Sequence, residues 1–78
     1  MSLELARFHS QKEAQLVMRR FAAELGAEYL ALGDMYQYQR GDGTRRLRVE
    51  KAENAGYWAL VVDVLSGPVG TFVLEEVR

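Results

Sequence analysis

Residues Tyr57–Leu65, YWALVVDVL, are apolar at nearly every position. As a strand they set Trp58, Leu60, Val62 and Val64 on one face. Tyr57, Ala59, Val61 and Leu65 fall on the other, interrupted only by Asp63. A half-solvated strand alternates apolar and polar residues; a strand covered on both sides does not. The chain must therefore cover both faces of its central strand. The rest of the sequence offers one clear helix, and one helix covers one face. A second copy of the chain is the simplest cover for the other. The pattern thus predicts a homo-oligomer, a dimer in the first place or a larger assembly, with Tyr57, Val61, Asp63 and Leu65 at its interface.

Size points the same way. The chain has 78 residues, room for a single domain spanning 1–78. Domains this small bury a modest share of their surface and often rely on disulfides, a metal or a partner. There is no cysteine, which removes disulfides and thiolate metal sites and fits a reducing, cytoplasmic setting. The formal net charge of -1 gives the whole chain no bias toward nucleic acid or anionic membrane. No apolar run approaches the ~20 residues that span a bilayer. The opening MSLELARFHS lacks the basic-then-apolar pattern of a signal peptide. A cytoplasmic protein without membrane contact is expected.

Local signals place the elements. Leu3–Phe8 is a candidate short strand. Ser10-Gln11-Lys12-Glu13 fits a capping box and predicts a helix start. Ala14, Val17, Met18, Phe21, Ala22 and Leu25 then form one apolar stripe at helical spacing, and Gly26 is a natural stop. Leu16 falls opposite the stripe. Glu28–Leu32 reads either as a helix end or as the start of a strand. Met35–Arg40 and Arg45–Ala52 read as strands joined by a tight Asp42-Gly43 turn, and Asn54-Ala55-Gly56 turns the chain into Tyr57–Leu65. Ser66–Gly70 is a loop, and Thr71–Val77 reads as a last strand. The expected fold class is α+β: one amphipathic helix on one face of a four-stranded antiparallel meander, with a possible short N-terminal strand. This layout resembles the cystatin-like plan of a helix followed by an antiparallel meander. None of that family's inhibitory motifs is present.

The turns also fix a register. A two-residue Asp42-Gly43 loop pairs Arg40 with Arg45, Tyr38 with Leu47 and Tyr36 with Val49. A four-residue loop at Glu53–Gly56 pairs Val49 with Leu60 and Leu47 with Val62. Paired residues share a face. Both turns give the same inner face, Tyr36, Tyr38, Leu47, Val49, Leu60 and Val62. Trp58 is expected in the core near the helix, with Lys51 opposite it.

Candidate chemistry is sparse. His9 is the single histidine and sits just before the helix cap, where a polar residue is expected anyway. Glu75 and Glu76 are neighbours on a strand and point to opposite faces, so they cannot clasp one ion, and no metal or cofactor is expected. The glycine loops at 41–43 and 67–70 do not lead into a helix, as a phosphate cradle requires. Arg40-Gly41-Asp42 reads as the start of a hairpin turn. One basic cluster stands out: Arg40, Arg45, Arg46, Arg48 and Lys51, interleaved with Tyr36 and Tyr38. Such a hairpin is a candidate for RNA or single-stranded DNA. Against it, both tyrosines fall on the inner face. The primary expectation is therefore a non-enzymatic protein–protein interaction or assembly module acting as a homo-oligomer, with a dimer favoured. Nucleic-acid binding is the alternative, and an active site around Asp63 between subunits is the least favoured.

Overall fold

The computed structural model describes residues 1–41 and 43–67. The elements run β1 (Ser2–Phe8), α1 (Gln11–Leu25), β2 (Glu28–Leu30), β3 (Met35–Arg40), β4 (Gly43–Ala52) and β5 (Tyr57–Ser66). The expected strand at 71–77 lies outside the described residues. The five strands form one antiparallel sheet in the order β1-β5-β4-β3-β2, and α1 packs on one face of it. The predicted α+β class holds, and the N-terminal strand is real.

The helix begins and ends where the caps dictate. The Ser10 hydroxyl accepts from the Glu13 amide at 3.1 Å, and Gly26 closes the last turn at φ 67°. Ala14, Met18 and Ala22 are its buried residues. Met18 and Ala22 form one core cluster with Tyr38, Leu47, Leu60 and Val62. The register explains how five strands supply a continuous apolar row under the helix. Tyr29 pairs with Tyr36, Tyr36 with Leu47, Leu47 with Val62, and Val62 with Leu3. The interior position of β5 in the sheet, between β1 and β4, accounts for its long apolar run.

The β4–β5 register is as the turn predicts, Val49 on Leu60 and Leu47 on Val62. The β3–β4 register is not. Arg40 pairs with Gly43, Tyr38 with Arg45 and Tyr36 with Leu47, a shift of two residues. Gly41 takes the positive φ of 60° that the turn needs, so Gly43 is freed to join β4. A Cβ on Gly43 would stand 2.6 Å from the Ser66 carbonyl oxygen, so glycine there serves a close strand approach. Because the slip is an even number, every side chain keeps its predicted face. The expected opposition of Arg40 and Arg45 does not form.

Trp58 also departs from expectation. It lies on the predicted face but at the end of the sheet, half-buried and outside the helix cluster, paired with Phe8 and Lys51. The Lys51 ammonium stands 5.9 Å from the centre of its ring.

Candidate functional site

The sheet face away from α1 carries small buried apolar residues beneath a set of paired charges. At its centre, Ala59 and Val61 are 2% and 3% exposed within the single chain. Val61 lies between Glu4 of β1 and Arg48 of β4, and Ala59 between Arg7 and Glu50. Long charged side chains in such positions can cover small apolar neighbours with their aliphatic stems, which fits the burial of Ala59 and Val61. The premise that a second copy must cover Val61 is thereby corrected: its burial needs no partner.

The charges above these residues are tied into a lattice. Arg48 donates from Nε to Asp63 at 2.7 Å and from Nη1 to Glu50 at 2.6 Å. Ser2 donates its hydroxyl to Asp63, and Arg7 pairs with Glu4 while stacking 4.6 Å from the Tyr57 ring centre. Burial opposes ionisation of Asp63, but hydrogen bonds from Arg48 and Ser2 and the nearby charges of Arg48 and Arg46 outweigh it. Its pKa is lowered as a result. Hydrogen bonds to Asp63 and Glu50 raise the pKa of Arg48. Asp63 is thus paired with Arg48 within its own chain. Leu65, at a β-bulge near the end of β5, remains 47% exposed.

The basic hairpin is not one surface. Arg45 faces the helix side opposite Tyr38 and is buried. Arg46 and Arg48 lie on the other face, Lys51 stands over Trp58, and Arg40 ends β3. The five residues are therefore divided between the two sides of the sheet.

A different corner of the outer face is open. Leu30, Leu32, Gly33, Met35 and Arg46 line a hollow of about 590 Å³ beside the β2–β3 turn. Asp34 anchors that turn to the helix side by accepting from Gln15 at 3.1 Å and from the Tyr29 hydroxyl at 3.0 Å. The anchored turn leaves Leu32 93% exposed at its tip. Arg46 borders the hollow and donates from Nη2 to Gln37 at 2.9 Å, while its Nε is buried without an acceptor. Sequence reasoning left this corner unmarked. The available signal was a leucine set directly before Gly33-Asp34, where turn chemistry favours polar residues.

Among the described residues no group of three or more His, Asp or Glu stands together as a metal site, and no helix is long and apolar enough to cross a membrane. No family model matches the sequence, and no curated protein or solved structure is significantly similar to it.

Proposed function

We propose that this chain is a small non-enzymatic interaction module of the cytoplasm that works as a homodimer, closing its β2–β3 corner against a second copy. The observation that carries the reading is Leu32, 93% exposed on a turn whose position Asp34 fixes. Single exposed apolar residues are ordinary, but this one stands with Leu30 and Met35 around an open hollow. Covering that group removes apolar surface from water, a gain that matters to a domain small enough to bury only a modest share of its surface alone. Binding of RNA or single-stranded DNA has weaker support, because the basic residues of β3 and β4 divide between the two faces.

The test is native mass by light scattering coupled to size exclusion, over a dilution series, for the parent and Leu32→Asp. The expected result is a dimeric parent and a monomeric variant with an unchanged circular dichroism spectrum. A parent that is monomeric at every concentration overturns the reading, as does a variant that dimerises equally well.

A further inference from the structure

We infer that the two copies stack outer face on outer face about a two-fold axis along β3, with Glu28 of each copy against Arg46 of the other. The inference rests on the homodimer reading and names the geometry of that contact.

It starts from one row of the ladder. Glu28 pairs with Gln37, and Gln37 with Arg46, so the three share the outer face in a line across β2, β3 and β4. Neighbouring strands are ~4.8 Å apart, which sets the acid and the base about 5 Å either side of Gln37. A two-fold rotation about β3 exchanges those flanks. Glu28 then lies over the partner's Arg46, and Arg46 over the partner's Glu28. The same rotation sets Met35 near its own copy and brings both Leu32 turns to one end. An isologous interface requires this kind of self-complementarity, in which each patch meets itself reversed.

On the outer face, among the described residues, these two charges are the ones without an ion pair of their own, Arg46 standing opposite Asp63 in the ladder and acting on it at longer range. Arg48 is engaged by Asp63 and Glu50, and Glu4 by Arg7. Among the described residues, neither Glu28 nor Arg46 makes an ion pair within 4 Å. Arg46 has a neutral hydrogen-bond acceptor, Gln37, and an Nε that is buried and unmatched. A guanidinium has five donors in a fixed fork suited to a carboxylate. Stacked sheets lie ~10 Å apart, a gap that a glutamate and an arginine reaching toward each other can bridge. Charge complementarity therefore selects a second copy as the occupant of the hollow.

The test uses single charge reversals and their mixture. Glu28→Arg sets arginine against arginine at both ends of the contact; Arg46→Glu sets glutamate against glutamate. Each variant alone is expected to dimerise at least about tenfold more weakly than the parent by the same dilution series. An equimolar mixture is expected to regain parental dimerisation, because the mixed pair carries one favourable contact at each end. Circular dichroism checks the fold of each. If Arg46→Glu does not fold, the double variant E28R/R46Q replaces it and is expected to dimerise more tightly than E28R. Unchanged dimerisation of E28R, or failure of the mixture or the double variant to recover, overturns the inference. A dimer broken by Leu32→Asp but indifferent to E28R keeps the assembly reading and discards this pairing. A monomeric parent discards both.

Discussion

Val61→Ala separates a residue buried by its own chain from one buried by a partner. The substitution removes two methyl groups from a side chain that is 3% exposed. At ~0.8 kcal/mol per carbon, the transfer loss is about 1.6 kcal/mol. Glu4 and Arg48 flank the site and are both held in ion pairs, so they close only partly over the gap. A small cavity term raises the expected cost to about 2 kcal/mol. A domain this size loses roughly 6 °C of Tm per kcal/mol, giving a drop of about 12 °C. Thermal unfolding followed by circular dichroism measures it, with native mass recorded at the same protein concentration. The expected outcome is a large fall in Tm with the mass unchanged. A weakened dimer with an intact Tm would refute the reasoning and return Val61 to the interface.

Gly43→Ala places a methyl group 2.6 Å from the Ser66 carbonyl oxygen, a backbone atom, so the ends of β4 and β5 must part. Overpacking of this kind costs ~1–3 kcal/mol. The expected result is a lower urea midpoint at constant slope, and an unchanged midpoint would deny the close approach. Asp63 makes stability pH-dependent. Its pKa is lowered in the fold, so its contribution is complete above the ordinary carboxylate range and disappears as pH falls through the folded value. Asp63→Asn is expected to flatten that acid limb in urea titrations from pH 6 to pH 2; parallel curves for parent and variant would remove Asp63 as a source.

The parts of the fold that were legible in the sequence rest on local chemistry. Ser10 and Gly26 mark the helix because the groups that satisfy its ends lie within a few residues of it. The Val49–Leu60 pairing follows from one short turn and the alternation on either side. What escaped depends on contacts between distant residues. Gly41 and Gly43 are equally suited to the hairpin turn by local sequence, and the close approach of Gly43 to Ser66 involves a residue over twenty positions away. Arg45 reads as a hairpin charge, yet it shares the helix side with Tyr38 and is buried there. The apolar outer face of β5 reads as an uncovered surface, because the stems of Arg48, Glu4, Arg7 and Glu50 that flank it belong to charged residues. The Leu32 corner depends on the anchoring of its turn by Gln15 from the helix, a contact invisible to any window of sequence.

The pairing of β1 with β5 has a consequence for how the molecule is made. Phe8 leaves the ribosome long before Trp58, its partner in the ladder. Nearly fifty residues separate the end of β1 from the start of β5, and synthesis at ~5–20 residues per second makes that a wait of roughly 2–10 s. The β3–β4–β5 meander closes through short turns, and such local pairings form in microseconds once their strands are available. β1 therefore joins last, from the opposite end of the chain. Until it does, the flank of β5 is a bare strand edge, for which the β1 of a neighbouring nascent chain competes with the chain's own, tethered β1. At high expression this favours strand-exchanged oligomers, a kinetic by-product distinct from any dimer formed by finished molecules.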